Sequence, residues 1–526
     1  MPRTRRDVWK LGSDWNDTIL WYARAVKVMS ARPFSDMTSW RYLAAMHGVA
    51  EQLWRSNGYM KPGENLPGAI AFRREDRDQC QHHTWYFLPW HRGYLRAFER
   101  IVAAAIVQLG GPTDWALPYW NYNDESNPNR LHLPPAFGSQ RWPDGGTNPL
   151  FVVARYGSTG QSGGPITLDP RSVSLEEAFL EDSFVGTQIG GSPGFGGGRT
   201  PFKHSGRGDE GLLEQSPHDN VHGDIGGARD NDFMDPFKIG LMSNPSTAGL
   251  DPIFWLHHSN IDRLWESWLQ AAGHVNPMDE SAWMDGPAGN RPFVMPEPDN
   301  STRTTFFARE MLDTTGPKLD YIYEDITNPF AARERVAERL EGLGVTPAAL
   351  EAVEPAAERD MARKPQVELL GAYAQGVRLS GPEAAATVPL DQTTSRKVLE
   401  SFRSGLESTP PREPDRVFLN LENIKASSDA ASFSVYVGLK PDENPEDHPE
   451  NLAGVVTLFG VAEATSPENP HGDNGLNKVI EITDAIDRLH LTGVHELNQI
   501  PVRFVLRRAR ASDIQIGRIS IYRQEK

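Results

Sequence analysis

Residues 82–99 read HHTWYFLPWHRGYLRAFE and residues 251–265 read DPIFWLHHSNIDRLW, and the fold turns on these two segments. In the second, Asp251 is a natural N-cap and Pro252 a natural first helical residue: the carboxylate accepts an otherwise unpaired N–H, and proline has no N–H to leave unpaired. The pattern predicts a helix carrying His258, with Phe254 and Asp262 one turn to either side. Asp262 is placed to brace a ligand histidine from behind. In the first segment Pro89 suits the first position of a helix running through Tyr94, Phe98 and Ile101. His82 and His91 are nine residues apart. On one straight helix their rings would face opposite ways, so they converge only if His82 lies before the helix.

Working outward, residues 217–222 (PHDNVH) place His218 and His222 at i and i+4, on one helical face where both can bind one metal. Upstream, Arg41–Trp54 (RYLAAMHGVAEQLW) reads as a helix with Leu43, Met46, His47 and Leu53 near one face. A lone histidine such as His47 is ordinarily a satisfied core residue, and an i,i+4 pair can be structural. Ten of the 15 histidines precede position 259. Several pieces with ligand spacing in one region are hard to explain as packing and read as a metal site. Imidazole suits zinc, copper, iron and nickel alike; the donor set leans away from calcium, magnesium and carboxylate-bound iron, and does not choose copper.

The rest of the chain sets the frame. With 526 residues, two or three domains are expected. The composition, 38% hydrophobic and 23% charged, fits a globular protein. A net charge of −17 argues against nucleic acid and anionic membranes as partners. No apolar run approaches the length of a membrane helix. The paired Arg5-Arg6 is followed by no apolar segment, so no signal peptide is seen and a cytoplasmic location is the expectation. Cys80 is the single cysteine, which excludes an intrachain disulfide. The glycine-rich stretch 187–200 (TQIGGSPGFGGGRT) lacks the Lys-Ser/Thr ending of a phosphate loop.

Past Tyr323 the composition shifts. Residues 329–410, rich in Ala, Glu and Arg, read as a partly helical linker, with helix candidates at Ala331–Leu343 and from Pro347. Beyond it the period changes to two. Strands are predicted at 416–421, 432–439, 454–459, 478–482, 502–507 and 514–522, spacing that suggests a β-sandwich over 411–526.

The segment His82–Glu99 resembles the first copper signature of tyrosinases, and Asp251–Trp265 the second, with His218-x-x-x-His222 between them. The resemblance covers residues 1 to about 325 and extends to Arg5 or Arg6 near the start and Tyr321-Ile-Tyr323 near the end. It implies a mainly α catalytic domain over 1–328, with a four-helix-bundle dicopper core and long loops. His47, His82 and His91 would bind one copper, and His218, His222 and His258 the other. His257 would be a neighbour and His83 structural. Cys80, two before His82, resembles members in which that cysteine forms a thioether to the ligand imidazole. Glu214 is the candidate base or water-holder. Asp219 departs from the asparagine of many strong monophenolases, and Pro245 falls where relatives carry a bulky residue, suggesting an open entrance. The C-terminal strands resemble, more weakly, the sandwich that shields the site in plant polyphenol oxidases.

The implied activity is copper-dependent oxidation of small phenols by O2. The alternatives are a catechol oxidase with little monophenolase activity, a haemocyanin-like oxygen carrier and a zinc hydrolase. The sequence leaves the oligomeric state open, a homo-oligomer included.

Overall fold

The protein is described by a computed structural model covering residues 2–68, 76, 79–187, 189–200, 210–286, 292–330, 365–407, 413–467, 474–491, 497–507 and 513–526. Two regions are built differently. The N-terminal one is helical with long loops: α1 (Asp17–Ala31), α2 (Trp40–His47), α3 (Phe87–Gln108), α4 (Asn220–Gly226) and α5 (Pro252–Trp268). The C-terminal one is antiparallel β-sheet. Among the described residues no helix is long and apolar enough to cross a membrane.

α3 and α5 are buried along most of their length and cross face to face, with Phe98 stacked on Trp255 at 3.5 Å between ring centroids. α5 starts as its cap chemistry requires. Asp251 accepts the Ile253 N–H at 3.0 Å, and its carboxylate is held by Arg155. α3 begins at Phe87, so Pro89 sits third in the helix rather than first. The ring is tolerated there because the N–H groups of a first turn have no intrahelical partner. The single helix predicted over 41–54 is two, Trp40–His47 and Glu51–Ser56. The break is at Gly48, whose backbone packs so closely on Ser246 that an added Cβ would stand 2.8 Å from its Cα.

The N-terminus closes the helical region. Strand β1 (Arg3–Arg5) pairs in parallel with β4 (Tyr321–Tyr323), and a hairpin of β2 (Phe293–Pro296) and β3 (Arg303–Phe306) lies between them in sequence. Arg5, not Arg6, is the buried arginine. It lies 3.6 Å over the Tyr321 ring, donates to the Tyr323 hydroxyl at 2.8 Å, and pairs with Glu99.

The C-terminal strands are β5 (Val367–Tyr373), β6 (Val377–Leu379), β7 (Glu383–Pro389), β8 (Arg416–Lys425), β9 (Ser432–Val437), β10 (Leu452–Thr457), β11 (Leu476–Glu481), β12 (Gln499–Leu506) and β13 (Ile514–Gln524). They form a four-stranded sheet, β10-β9-β12-β7, and a five-stranded sheet, β11-β8-β13-β5, with β6 also on β13. One apolar core takes Val435 and Val502 from the first sheet and Leu419 and Ile519 from the second.

Residues 367–407, read from the sequence as linker, instead belong to these sheets and to α6 (Gln392–Glu407). The Ala-rich run Glu383–Pro389 has weak strand propensity. It pairs with β12 in full register because that edge and the core below it are already built. The helix candidates at 331–343 and from 347 lie outside the described residues.

Candidate metal centre

Four short pieces of chain carry the histidines to one place. His47 ends α2, His91 lies in the first turn and a half of α3, and His82 comes from the extended segment before it, as convergence demands. His218 lies in the π-helical turn Glu214–Asp219 that runs into α4, His222 lies within α4, and His258 is inside α5. Two groups result, His47–Cys80–His82–His91 and His218–His222–His257–His258, within each of which the potential ligand atoms lie within 4.8 Å of one another. The groups adjoin: the His91 and His258 rings are 4.6 Å apart, and His82 and His218 5.9 Å.

The ring orientations test whether metals fit. The Nδ1 of His47 faces the Pro245 carbonyl at 2.7 Å, that of His91 the Phe87 carbonyl at 2.8 Å, and that of His222 the Met242 carbonyl at 2.7 Å. A carbonyl accepts only, so each Nδ1 carries the proton and each Nε2 presents a lone pair. His82 and His218 have buried Nε2 atoms without a hydrogen-bond partner, and the Nε2 atoms of His222 and His258 stand 3.3 Å apart. Buried polar atoms are rarely left so. Burial first, and the neighbouring rings next, hold His82, His91, His218, His222 and His258 well below the ordinary imidazole range. Neutral rings converging on two adjacent points, with no carboxylate in either group, fit two soft-to-borderline transition metals.

The remaining predicted residues divide. Cys80 places Sγ 3.5 Å from His82 Nδ1. His257 stands within the second group, with Nδ1 3.1 Å from the Tyr122 hydroxyl. Glu214 accepts the His83 N–H at 2.8 Å through Oε1, while its buried Oε2 has no hydrogen-bond partner. Burial, then the charges of Glu210 and Asp219, push its carboxyl well up. Asp219 accepts from His218 Nδ1 at 2.9 Å and from Lys478 at 2.8 Å; burial pushes its carboxyl well up, with Glu210 adding to the push and the Lys478 ammonium opposing it.

One expectation fails. Asp262 braces no histidine: it takes Arg92 at 2.5 Å, the hydroxyls of Tyr321 and Tyr323, and Arg5, so it anchors the closing strand pair instead. One helical turn puts a side chain beside a ring, but Arg92 reaches Asp262 first, and the ion pair wins. Pro245 turns its carbonyl to His47 Nδ1, and Gly460 of the C-terminal region lies over its ring.

A shielding C-terminal region was expected from the resemblance; which of its residues do the covering was not legible. Phe459, at the turn after β10, is 1% exposed and belongs to the helical region's core; its ring stacks 4.3 Å from His222 and meets His82 and His218 at 5.6 and 5.7 Å. Beside it Lys478 of β11 reaches Glu210 and Asp219. His83 Nε2 stands 2.7 Å from the other Glu210 oxygen. Burial would raise the Glu210 carboxyl, but the Lys478 ammonium and the His83 ring outweigh it and hold it at about 2. Thr457 to Asn220 and Arg416 to Glu181 extend the contact. A phenylalanine in a turn and a lysine in a strand carry no signal of such partners.

A helical region holding paired imidazole clusters under a β cap defines a dinuclear metal protein. The common central domain of tyrosinase matches residues 37–271, and a domain of unknown function matches 366–524. Tyrosinase HcTyr1 of Hahella sp. (strain CCB-MM4) is 34% identical, with 99% of each chain covered. Polyphenol oxidase A1 of Vicia faba is 24% identical over 91% of this chain and 71% of its own. Among solved structures, latent apple tyrosinase aligns with a TM-score of 0.57 at 21% identity, covering 99% and 97% of the two chains, which speaks for the fold. The chain belongs to the tyrosinase and polyphenol oxidase family of type-3 copper proteins, and its cofactor is a pair of copper ions, with O2 as co-substrate.

Proposed function

We propose that the chain is a tyrosinase, hydroxylating monophenols at the ortho position and oxidising o-diphenols to o-quinones. His47, His82 and His91 hold one copper, and His218, His222 and His258 the other, within a four-helix core of α2, α3, α4 and α5. The observation that carries the reading is the convergence of neutral imidazoles on two adjoining points, with the Nδ1 protons of His47, His91 and His222 fixed on carbonyls. When bound, the copper pair supplies two-electron redox chemistry with dioxygen.

The protein's own part is binding, orientation and proton handling. Three Nδ1–carbonyl contacts keep their rings in the ligating tautomer. Glu214 Oε2, buried and without a hydrogen-bond partner, is the atom that takes the phenolic proton, directly or through a water. Cys80 Sγ lies close enough to the His82 ring for the thioether. Phe459 occupies the space above His222 that a phenol ring needs, so the C-terminal region keeps the intact chain latent. The similarity to a tyrosinase over nearly the whole of both chains favours the monophenol reading. Asp219 beside His218 favours a second reading, oxidation of o-diphenols with weak hydroxylase activity.

Copper loading of the intact protein, with oxygen uptake on 4-ethylphenol and 4-ethylcatechol, tests both. Uptake on both supports a tyrosinase, uptake on the catechol alone the second reading, and neither with two coppers bound refutes the proposal.

A further inference from the structure

The copper ligands leave one charged constellation without a task. Lys478 extends from β11 into the helical region, 2% exposed, and ends between two carboxylates. Its Nζ bonds Glu210 Oε2 and stands 2.8 Å from Asp219 Oδ2. Asp219 Oδ1 in turn accepts from His218, one of the rings under Phe459. The C-terminal region thus presents an aromatic ring over the histidines and an alkylammonium to the acids, linked through His218, which meets Phe459 on one side and Asp219 on the other.

We propose that Glu210 and Asp219 form an ammonium pocket of the substrate site, and that the chain prefers phenols and catechols bearing an alkylammonium side chain, whose two ends Phe459 and Lys478 imitate in the closed molecule.

The pocket is built rather than incidental. Glu210 is 1% exposed, and His83 Nε2 stands 2.7 Å from its other oxygen, so a nitrogen lies close to each end of the carboxylate. Backbone geometry fixes that histidine too: His83 has φ 58°, and its N–H is tied to Glu214. Glu210 and Asp219 both reach the Lys478 ammonium, and taking one partner out of a buried charge pair is costly. Undocking of the β region as one body withdraws Phe459 and Lys478 together, because the two sheets that carry them share one core. The vacated carboxylates then favour a substrate that returns a cation to the same spot and repel one that brings a carboxylate. Neutral phenols neither gain nor lose by it.

The inference rests on the dicopper reading, and a set of catechols separates the two, since either form of that reading oxidises them. Dopamine, 4-ethylcatechol and 3-(3,4-dihydroxyphenyl)propionate share a ring and a two-carbon arm and differ in charge. For the copper-loaded full chain, kcat/KM is expected to fall in that order, with dopamine ahead of 4-ethylcatechol by about tenfold, the worth of a buried charged hydrogen bond. Glu210→Gln should shrink the dopamine to 4-ethylcatechol ratio about tenfold, mostly through KM. Equal treatment of the three by the wild-type chain within twofold, or an equal fall for all three in the variant, overturns the pocket.

A second measurement needs no copper. Phenethylamine titrated calorimetrically into metal-free Lys478→Met protein should bind saturably, and should not bind Lys478→Met/Glu210→Gln. Binding that ignores Glu210, or no binding in the single variant, also overturns the proposal. Oxidation of none of the catechols together with Glu210-dependent phenethylamine binding would sink the dicopper reading and leave the pocket standing.

Discussion

Phe459→Ala should raise the activity of the intact chain. The side chain is 1% exposed and its ring packs 4.3 Å from His222. Truncating a buried phenylalanine costs about 3–5 kcal/mol. Here that cost falls on the docking of the β region over the histidines, because Phe459 belongs to the helical region's core and not to the core shared by the two sheets. At the lower end, ~3 kcal/mol shifts the docked-to-undocked ratio roughly 100-fold. A substrate that reaches copper only in the undocked state should be oxidised faster by a similar factor, until opening is no longer limiting.

The assay is quinone formation from 4-ethylcatechol by copper-loaded, full-length wild type and variant, with copper content and urea midpoint measured on the same samples. A variant with two coppers, an unchanged urea midpoint for the β region and an unchanged rate would refute the plug. A rate increase with unchanged KM would equally speak against occlusion at the substrate position and for a change elsewhere.

Further outcomes follow from the same contacts. His222→Ala should lower bound copper from two to one per chain, read by metal analysis of dialysed protein, since its Nε2 faces His258 Nε2 at 3.3 Å. The copper-loaded wild type should have an intact mass two hydrogens below that of the metal-free chain, and Cys80→Ala should abolish the difference, because Sγ stands 3.5 Å from the His82 ring. Full alkylation of Cys80 in the loaded protein would disprove the bond. Arg5→Met should cost about 3–5 kcal/mol in urea unfolding, since Glu99 and Asp262 would keep buried charge without that guanidinium. Asp169 meets Arg171 and, across the two regions, Arg507; despite burial these hold its carboxyl at about 2, against an ordinary 3.8. The stabilisation is complete above pH 3.8 and is lost as pH falls toward 2; for a half-buried group it amounts to roughly 1 kcal/mol, and Asp169→Asn should remove that share of the acid dependence of the thermal midpoint.

The histidine positions were written in local chemistry. The Asp251-Pro252 cap fixes where α5 begins and therefore where His258 points; i,i+4 spacing puts His218 and His222 on one face; and nine residues between His82 and His91 force the former off the helix. Alternation likewise revealed β8 to β13, because each strand has one face on a core. What the sequence could not carry were partnerships made across hundreds of residues. Asp262 chose Arg92 and the tyrosine pair over a histidine, and the alanine-rich β7 became a strand because β12 offered an edge. The cap over the coppers is the extreme case. Phe459 and Lys478 are ordinary residues in their own segments, and only docking of the β region brings them within reach of His222, Glu210 and Asp219. Short-range preferences depend on neighbours in the chain, whereas burial and charge pairing depend on neighbours in space, and those exist only once both regions have folded and met.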